Sequence, residues 1–450
     1  MAEMMVVRPR TRKAMTTKFA VVCVVAVLAA SSTATAQVRT PSCDSSPSAV
    51  QQDEASLRDT IAESLLFLFD GDRTRRDALA ATIEVTYVGA GRMMPAAADS
   101  LPRPAREPGA VTPQRITGWI GINPATCNQF RIRLPSQTAR GIAAGAVHKG
   151  FGRAEPGPAS PSIVHPPDGA LEMPDQYCAP QTGPYFSGCL DTRRRSGTLT
   201  YPERTITNFS SDGQLASCTG TLVGPRHILT AGHCLYQGNN VWNDFTVIPG
   251  RDGAYWPFGS TQMSDTQGLN QGFRWYWIPE AAFEAPLPEW FTGLDIGIIV
   301  IPKRLGDVVG WMGVVARADA GLTTAANVNK GYPAGSGGPI GFHPVQLEGA
   351  MYGDYHLCSV GDYSHHDAQG WGRIAGHSCD NSSGHSGGPI YHSFWDSSVQ
   401  ATVPAVSLII SHYPAFVSDF DCEHNPRPYS ATRITPEYID WFLFFRSWKP

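Results

Sequence analysis

Residues 382–389 read SSGHSGGP. Glycines at 384, 387 and 388 let the backbone turn tightly enough to expose the side chain of Ser386, and let the N–H groups of Gly384 and Ser386 aim at one point. A serine displayed in this way is a candidate nucleophile, and it needs a base to take its proton. Two other stretches supply partners. In ILTAGHC (228–234), His233 follows the small residues Ala231 and Gly232 at a strand end, from where an imidazole can project into a cleft. In LDIGIIVI (294–301), Asp295 opens an apolar strand, so its carboxylate is expected to be buried, as one that orients an imidazole should be. Each piece alone is commonplace. A histidine after a strand is more often structural, and glycine-rich turns abound. The three together, in the order His, Asp, Ser, are specific.

Around these motifs the texture is β-rich. From residue 196 onward short segments such as RTITNF, CTGTLV, HILTAG, DFTVIPG and VPAVSLIISH alternate with Gly, Pro, Asn and Asp turns, and no long helical pattern appears until PEYIDWFLFF (436–445). That spacing predicts an all-β fold of antiparallel barrels or a sandwich for 196–450. Upstream, residues 37–134 hold material for a small α+β unit. Leu57, Ile61, Leu65 and Leu68 recur at helical spacing, while ATIEVTYVG (81–89), ITGWIGI (116–122) and QFRIRL (129–134) read as strands. This region is expected to be an N-terminal pro-segment or accessory module. Residues 135–195, rich in proline, glycine and alanine, read as a linker ending in DTRRR (191–195), which is either a site for a basic-specific protease or a solvated charge run.

Residues 1–36 carry Arg8, Arg10, Arg12, Lys13 and Lys18 before the apolar run FAVVCVVAVLAA (19–30) and the small residues Ala34-Thr35-Ala36. This is the pattern of a secretory signal, and the run is too short for the ~20 apolar residues of a membrane span. The formal net charge of −4 becomes more acidic once that basic leader is gone. A mildly acidic export product has no electrostatic footprint for nucleic acid, and no membrane association is expected after signal removal. The 45 glycines and 36 prolines exceed the usual ~12% for the pair, and the charged fraction of 16% lies below the usual ~25%, which suits a loop-rich β protein. Without Cys23 an odd number of cysteines remains (43, 127, 178, 189, 218, 234, 358, 379 and 422), and most should be paired in an oxidising compartment.

LTAGHC resembles the histidine motif of the chymotrypsin-like serine peptidases, LDIGII their aspartate motif and GHSGGP their serine motif. The resemblance covers about 196–450. It implies two six-stranded antiparallel barrels with the active site between them and a closing C-terminal helix, for which PEYIDWF is the candidate. It also implies a secreted or periplasmic serine endopeptidase that acts on protein or peptide substrates without a cofactor. Ser386 is then the nucleophile, His233 the general base and Asp295 its orienter, with Gly384 and Ser386 N–H groups forming the oxyanion hole. Cys218 and Cys234 sit where the family has a disulfide bracing the histidine loop. More narrowly, LDTRRRSGTLTYPERTI, GYPAG (331–335) and CDNSSGHSGGP are similar to the bacterial glutamyl endopeptidase branch, and Cys379 is expected to pair with Cys358. His385 stands where the trypsin branch has an aspartate that pairs with a freed N-terminus. With a reference pKa of ~6.5 it is mostly neutral at pH 7 and cannot replace that carboxylate.

Two candidates for reading the substrate point in opposite directions. Asp380 lies at the offset where trypsin-like enzymes place the acid that recognises Arg or Lys. His412 in LIISHYP, aligned with the histidine motif of the glutamyl branch, would recognise a glutamate carboxylate; alternatively Ile410-Ser411-His412 matches the Val-Ser-Trp strand of the trypsin branch. The expectation leans to an acidic preference. His365, His366, His377, His392 and His424 show no regular metal-ligand spacing, and no metal is expected. The rival reading from another class is a non-catalytic secreted binding or adhesion protein that keeps the double-barrel shape, with 37–195 as its working part.

Overall fold

Two antiparallel sheets carry the motifs, each continuous with elements that lie upstream of them. The computed structural model describes residues 46–94, 115–148, 193–211, 214–237, 240–242, 245–263, 275–284, 293–335, 345–354, 357–367, 369–377, 379–396, 400–412 and 429–448, with short pieces at 154, 182–183, 186–187 and 340. The expected signal, Cys43, Cys178, Cys189, Cys422 and His424 lie outside the described residues. All of the described residues fall in one unit spanning 41–450.

The first sheet has ten strands. Its order is Glu84–Ala90, Asn128–Arg133, Gly118–Ile122, Trp275–Pro279, Gly297–Val300, His227–Thr230, Gln214–Leu222, Ile206–Ser211, Thr246–Pro249 and Thr261–Gln262. The last seven lie within 196–450, where the first barrel is expected. The first three come from the N-terminal region and join at the Trp275–Pro279 edge, with Trp277 opposite Gly121 and Ile278 opposite Ile120. The second sheet runs Val360–His366, Gly372–His377, Tyr429–Arg433, Ala401–His412, Pro389–Asp396, Val328–Gly331, Tyr352–Asp354 and Arg193–Arg195, with Gly313–Val314 pairing in parallel beside Ala401–His412. The expected antiparallel two-barrel architecture is present. Both sheets hold more than the expected six strands, and both include upstream chain: three strands of the first sheet and Arg193–Arg195 of the second.

Both faces of the first sheet are buried, which explains why LDIGIIVI and ITGWIGI are apolar throughout instead of alternating. Tyr276, Ile278, Ile299, Ile120 and Ile122 turn into the barrel with Phe209, Leu222 and Val247. Trp275, Trp277, Ile298, Val300 and Trp119 turn outward into a second core made with the C-terminal helix Pro436–Arg446 and the helix Pro47–Leu68. The C-terminal helix starts with Pro at its first turn and buries Tyr438, Trp441, Phe442, Leu443, Phe444 and Phe445. The second barrel has its own core around Val360, Ala375, Ile390, Leu408, Ile410 and Ala431.

Two stretches differ from the sequence reading. Ser136–His148, in the part read as linker, is an α-helix. Its Ala139, Ile142, Ala143 and Ala146 are buried, so the small side chains that look like low complexity are what permits close packing in the shared core. Arg193–Arg195, in the stretch read as a processing site or a solvated charge run, is a strand paired with Tyr352–Asp354, and Arg193 is 1% exposed. Pairing and burial make the folded backbone at this point a poor substrate for a processing protease.

Buried histidines set an acid limit on this fold. Burial, together with the nearby charges of Arg446 and Arg226, lowers His227 to about 3, and burial lowers His377 to about 3 against a main-chain hydrogen bond to Ser430. In the unfolded chain both bind protons near 6.5, so the unfolded state holds more protons between about pH 6.5 and 3 and stability falls as pH drops through that window. Each histidine contributes a slope of at most about 1.4 kcal/mol per pH unit. Urea midpoints at pH 7 and pH 4.5 measure it: the lower-pH midpoint is expected to drop, and His377→Gln to reduce the drop. Equal midpoints would show that these side chains are hydrated in the native state.

Candidate active site

The histidine and the aspartate are locked together. His233 lies in a single 3-10 turn, Gly232–Cys234, that ends the His227–Thr230 strand, and it is 5% exposed. Asp295 precedes the neighbouring Gly297–Val300 strand and is fully buried. Its Oδ1 accepts the main-chain N–H of His233 at 2.9 Å, and its Oδ2 lies 2.8 Å from His233 Nδ1. A Cβ at Gly232 would sit 3.3 Å from Asp295 Oδ1 and 3.2 Å from the Ile296 carbonyl, so the small residue allows this approach. Ser411 Oγ donates to Oδ2 at 2.5 Å, and Thr432 Oγ1 donates to the Asp295 carbonyl at 3.0 Å. Burial alone would raise the Asp295 carboxyl. The neighbouring His233 imidazole and the hydrogen bonds from His233 and Ser411 outweigh it and hold the group below its ordinary value.

The Ser386 turn is seated between the two sheets by main-chain contacts. The Ser386 carbonyl accepts the Thr219 N–H at 2.8 Å, and Gly387 N–H donates to Ile410 at 2.8 Å. Thr219 is a hub that sequence reading missed. Its hydroxyl accepts from Tyr332 N–H at 2.9 Å and donates to the Gly384 carbonyl at 2.7 Å, while its carbonyl takes the Thr230 hydroxyl at 2.8 Å. Disulfide Cys218–Cys234 ties the strand bearing Thr219 to the residue after His233, and Cys234 Sγ lies 3.6 Å from the Ser386 carbonyl oxygen. The serine turn and the histidine turn are therefore neighbours across the barrel junction. Gly384 and Gly387 have φ of 89° and 80°. The N–H groups of Gly384 and Ser386 meet no main-chain acceptor among the described residues, and Ser386 itself is partly exposed.

A single methyl group tests this seat. A Cβ at Gly387 would fall 2.1 Å from Thr230 Oγ1 and 2.2 Å from the Thr219 carbonyl, on a backbone that L-residues seldom adopt. Gly387→Ala is expected to cost about 3 kcal/mol or more of stability, combining overpacking with left-handed strain. Thermal unfolding of the purified variant measures this, and an unchanged midpoint would contradict the seat described.

His385 points away from the cleft. It is fully buried, its ring edge packs against Gly331, and its Nδ1 accepts the Ser382 N–H at 3.3 Å while its own N–H donates to the Ser382 carbonyl at 3.0 Å. The ring closes the turn from inside. Arg193 reaches the same turn, donating to Ser382 Oγ at 2.7 Å. Asp380 is half-buried, with its N–H on Asp354 Oδ2 at 3.0 Å and its carbonyl on Asn329 Nδ2 at 3.0 Å. The backbone of His412 pairs with Ser430, and its side chain lies outside the described residues. The expected Cys218–Cys234 and Cys358–Cys379 bridges are both present, and Cys127 is disulfide-bonded too.

Of these features, Thr219 carried no signal of its own, and Ser411 stood out only as part of Ile410-Ser411-His412 and not as a partner of Asp295. Both stand in apolar strands (VSLIISH and CTGTLV) and act only on residues distant in the chain. Among the described residues, the three metal-ligating side chains within reach of one another are Cys218, His233 and Cys234. The two sulfurs are bonded to each other, so this donor set does not fit an ion.

Residues 200–319 match the trypsin family. The chain is 30% identical over 164 residues to a glutamyl endopeptidase of Bacillus licheniformis, an alignment covering 34% of this chain and 45% of that protein. It is 28% identical over 134 residues to an extracellular metalloprotease of Bacillus subtilis, covering 28% of this chain and 37% of that protein. It thus spans less than half the length of these curated relatives. Among solved structures, a Glu endopeptidase aligns with a TM-score of 0.40 at 19% identity, covering 57% of this chain and 97% of that one. The protease Anisep from Arthrobacter nicotinovorans aligns at 0.34 and 16%, covering 54% and 93%. The family match contains both His233 and Asp295, and this part of the chain is similar to the trypsin family and to a glutamyl endopeptidase.

Proposed function

We propose that this chain is a secreted serine endopeptidase that cleaves peptide bonds through an acyl-enzyme on Ser386. The observation that carries the reading is the buried His233–Asp295 pair at 2.8 Å, with the Ser386 turn seated beside it on Thr219. Ser386 Oγ attacks the carbonyl as His233 takes its proton and later returns it to the leaving amine. Asp295 holds the proton on Nδ1, so that Nε2 is the face offered to the serine, and it stabilises the imidazolium once formed. The N–H groups of Gly384 and Ser386 bind the developing oxyanion, each donor worth about 10²- to 10³-fold in comparable sites. A fluorophosphonate probe tests the assignment directly. Labelling of folded, processed protein at Ser386 is expected, and the absence of any labelling would favour a binding protein that has kept the fold.

Export fits the basic leader with its apolar run and the disulfides, which persist in oxidising compartments. No helix among the described residues is long and apolar enough to cross a membrane. For the cleaved bond we infer an acidic preference, supported by the likeness to a glutamyl endopeptidase. A peptide library cut only after Arg or Lys would overturn it and assign the role to Asp380.

Arg193 holds the turn through Ser382. Arg193→Ala is expected to lower kcat about tenfold or more with little change in KM, because small displacements of a reacting group are costly. Partial rescue by Arg193→Lys would separate positioning from general destabilisation. A kcat equal to wild type would remove Arg193 from this role.

A further inference from the structure

The N-terminal region is built into the peptidase more deeply than a removable segment would be. Its strand Gly118–Ile122 covers the edge of the first barrel over four successive pairs. The approach is so close that a Cβ at Gly121 would lie 2.2 Å from the Trp277 ring. Two peptidase carboxylates look to this region for partners. Glu280, whose side chain is 4% exposed, pairs with Arg131 and Arg133, the latter through two bonds at 2.9 and 2.5 Å. Glu437, in the first turn of the C-terminal helix, accepts the Ile116 N–H at 2.8 Å while pairing with Arg373. Trp119 is fully buried against Phe445 (5.2 Å between centroids), Trp441 (6.1 Å) and Tyr438 (6.5 Å). The helix Ser136–His148 packs on the same C-terminal helix, and the two halves share one continuous core. On the backbone of the other flank, Arg92–Met94 pairs in parallel with Asn240–Trp242, next to the strand that follows the His233 turn.

Taking this region away would open a sheet edge and expose Trp275 and Trp277 and the aromatic face of the closing helix. It would also strip Glu280 of both arginines. Each is a liability that folded proteins avoid. We propose that residues 47–148 are a permanent structural subunit of the peptidase. A cut anywhere between 149 and 192 does not release them, and the processed protein is an assembly of two chain segments held together by this interface. The interface is independent of the serine chemistry, so its test does not depend on activity.

The experiment places a recognition sequence for a site-specific protease within 155–181 of the full chain, in a Ser386→Ala background that prevents self-digestion. After cutting, gel filtration at micromolar concentration in native buffer is expected to give one peak containing both fragments. Denaturant without reductant is expected to separate them. Separate native peaks, with or without precipitation of the larger fragment, would overturn the proposal, and so would fragments that stay joined through a disulfide in denaturant. The double variant Trp119→Ala/Arg133→Met, cut in the same way, is expected to dissociate at least tenfold faster. Retention unchanged by it would show that the fragments are not held by this interface.

Discussion

Replacing Ser386 by alanine is expected to lower peptide hydrolysis roughly 10⁴- to 10⁶-fold while leaving the fold and its unfolding temperature essentially unchanged. The second half of that expectation follows from how the turn is held. Its anchors are main-chain groups: the Ser386 carbonyl on Thr219 N–H, Gly387 N–H on Ile410, Ile410 N–H on Gly388, and Gly388 N–H on His385. None of these uses the hydroxyl, so alanine fits the same seat. What disappears, on the proposed mechanism, is the atom that bonds to the substrate carbonyl, which leaves an intact His233–Asp295 pair with no nucleophile to activate. Residual hydrolysis above the uncatalysed rate is expected from substrate binding and the two N–H donors alone. Casein turnover and thermal unfolding of purified variant and wild type decide the matter. Wild-type turnover by the variant would remove Ser386 from the mechanism, whereas lost activity with a lowered unfolding temperature would indicate a structural effect.

The residues proposed to carry the chemistry stand out in sequence because each sits in a short motif that carries its own reason. A glycine turn displays Ser386, a small-residue turn releases His233, and an apolar strand buries Asp295. The groups that complete the constellation were not readable, because their partners are far away in the chain. Ser411 meets Asp295 across 116 residues, and Thr219 meets Gly384 across 165. Nothing local distinguishes Thr219 from any other hydroxyl in a β-strand, and the strand likeness that includes Ser411 does not by itself point to Asp295. His385 was readable for what it cannot do, namely replace a carboxylate, but its inward orientation against Gly331 depends on a strand from elsewhere in the second barrel.

The incorporation of the N-terminal region was hidden for a related reason. A strand with apolar residues on both faces, such as ITGWIGI, is equally compatible with a core of its own and with a core shared with another domain. Only the pairing with Trp275–Pro279 decides between them. The alanines and glycines of 136–148 misled in the opposite direction. Small residues lower the hydrophobic signal of a helix, yet they are what lets Ser136–His148 lie close against Pro436–Arg446.

Asp295→Asn offers the sharpest test of how the pair works, since it changes charge and hydrogen-bonding sense while keeping shape. The carboxylate now accepts three hydrogen bonds, from His233 N–H, His233 Nδ1 and Ser411 Oγ. An amide cannot accept all three, because one of its two ends only donates. With the amide nitrogen at the Oδ2 position it donates to His233 Nδ1 and faces the Ser411 hydroxyl, which must turn away. The imidazole proton is then forced to Nε2, the nitrogen that has to be free to take the serine proton. With the nitrogen at the Oδ1 position it opposes the His233 main-chain N–H in a fully buried site, which leaves two donors face to face. The first arrangement is the less costly, and it is the inactive one. A loss of about 10⁴-fold in kcat/KM near neutral pH is therefore expected, with the structure retained, as in comparable triads. Because the wild-type Asp295 carboxyl is held below its ordinary value, it is ionised throughout the working range, and the acid limb of the wild-type pH profile should report His233 instead. Steady-state kinetics across pH on both proteins measure this. A variant within tenfold of wild type at neutral pH would show that the carboxylate does not fix the tautomer of His233.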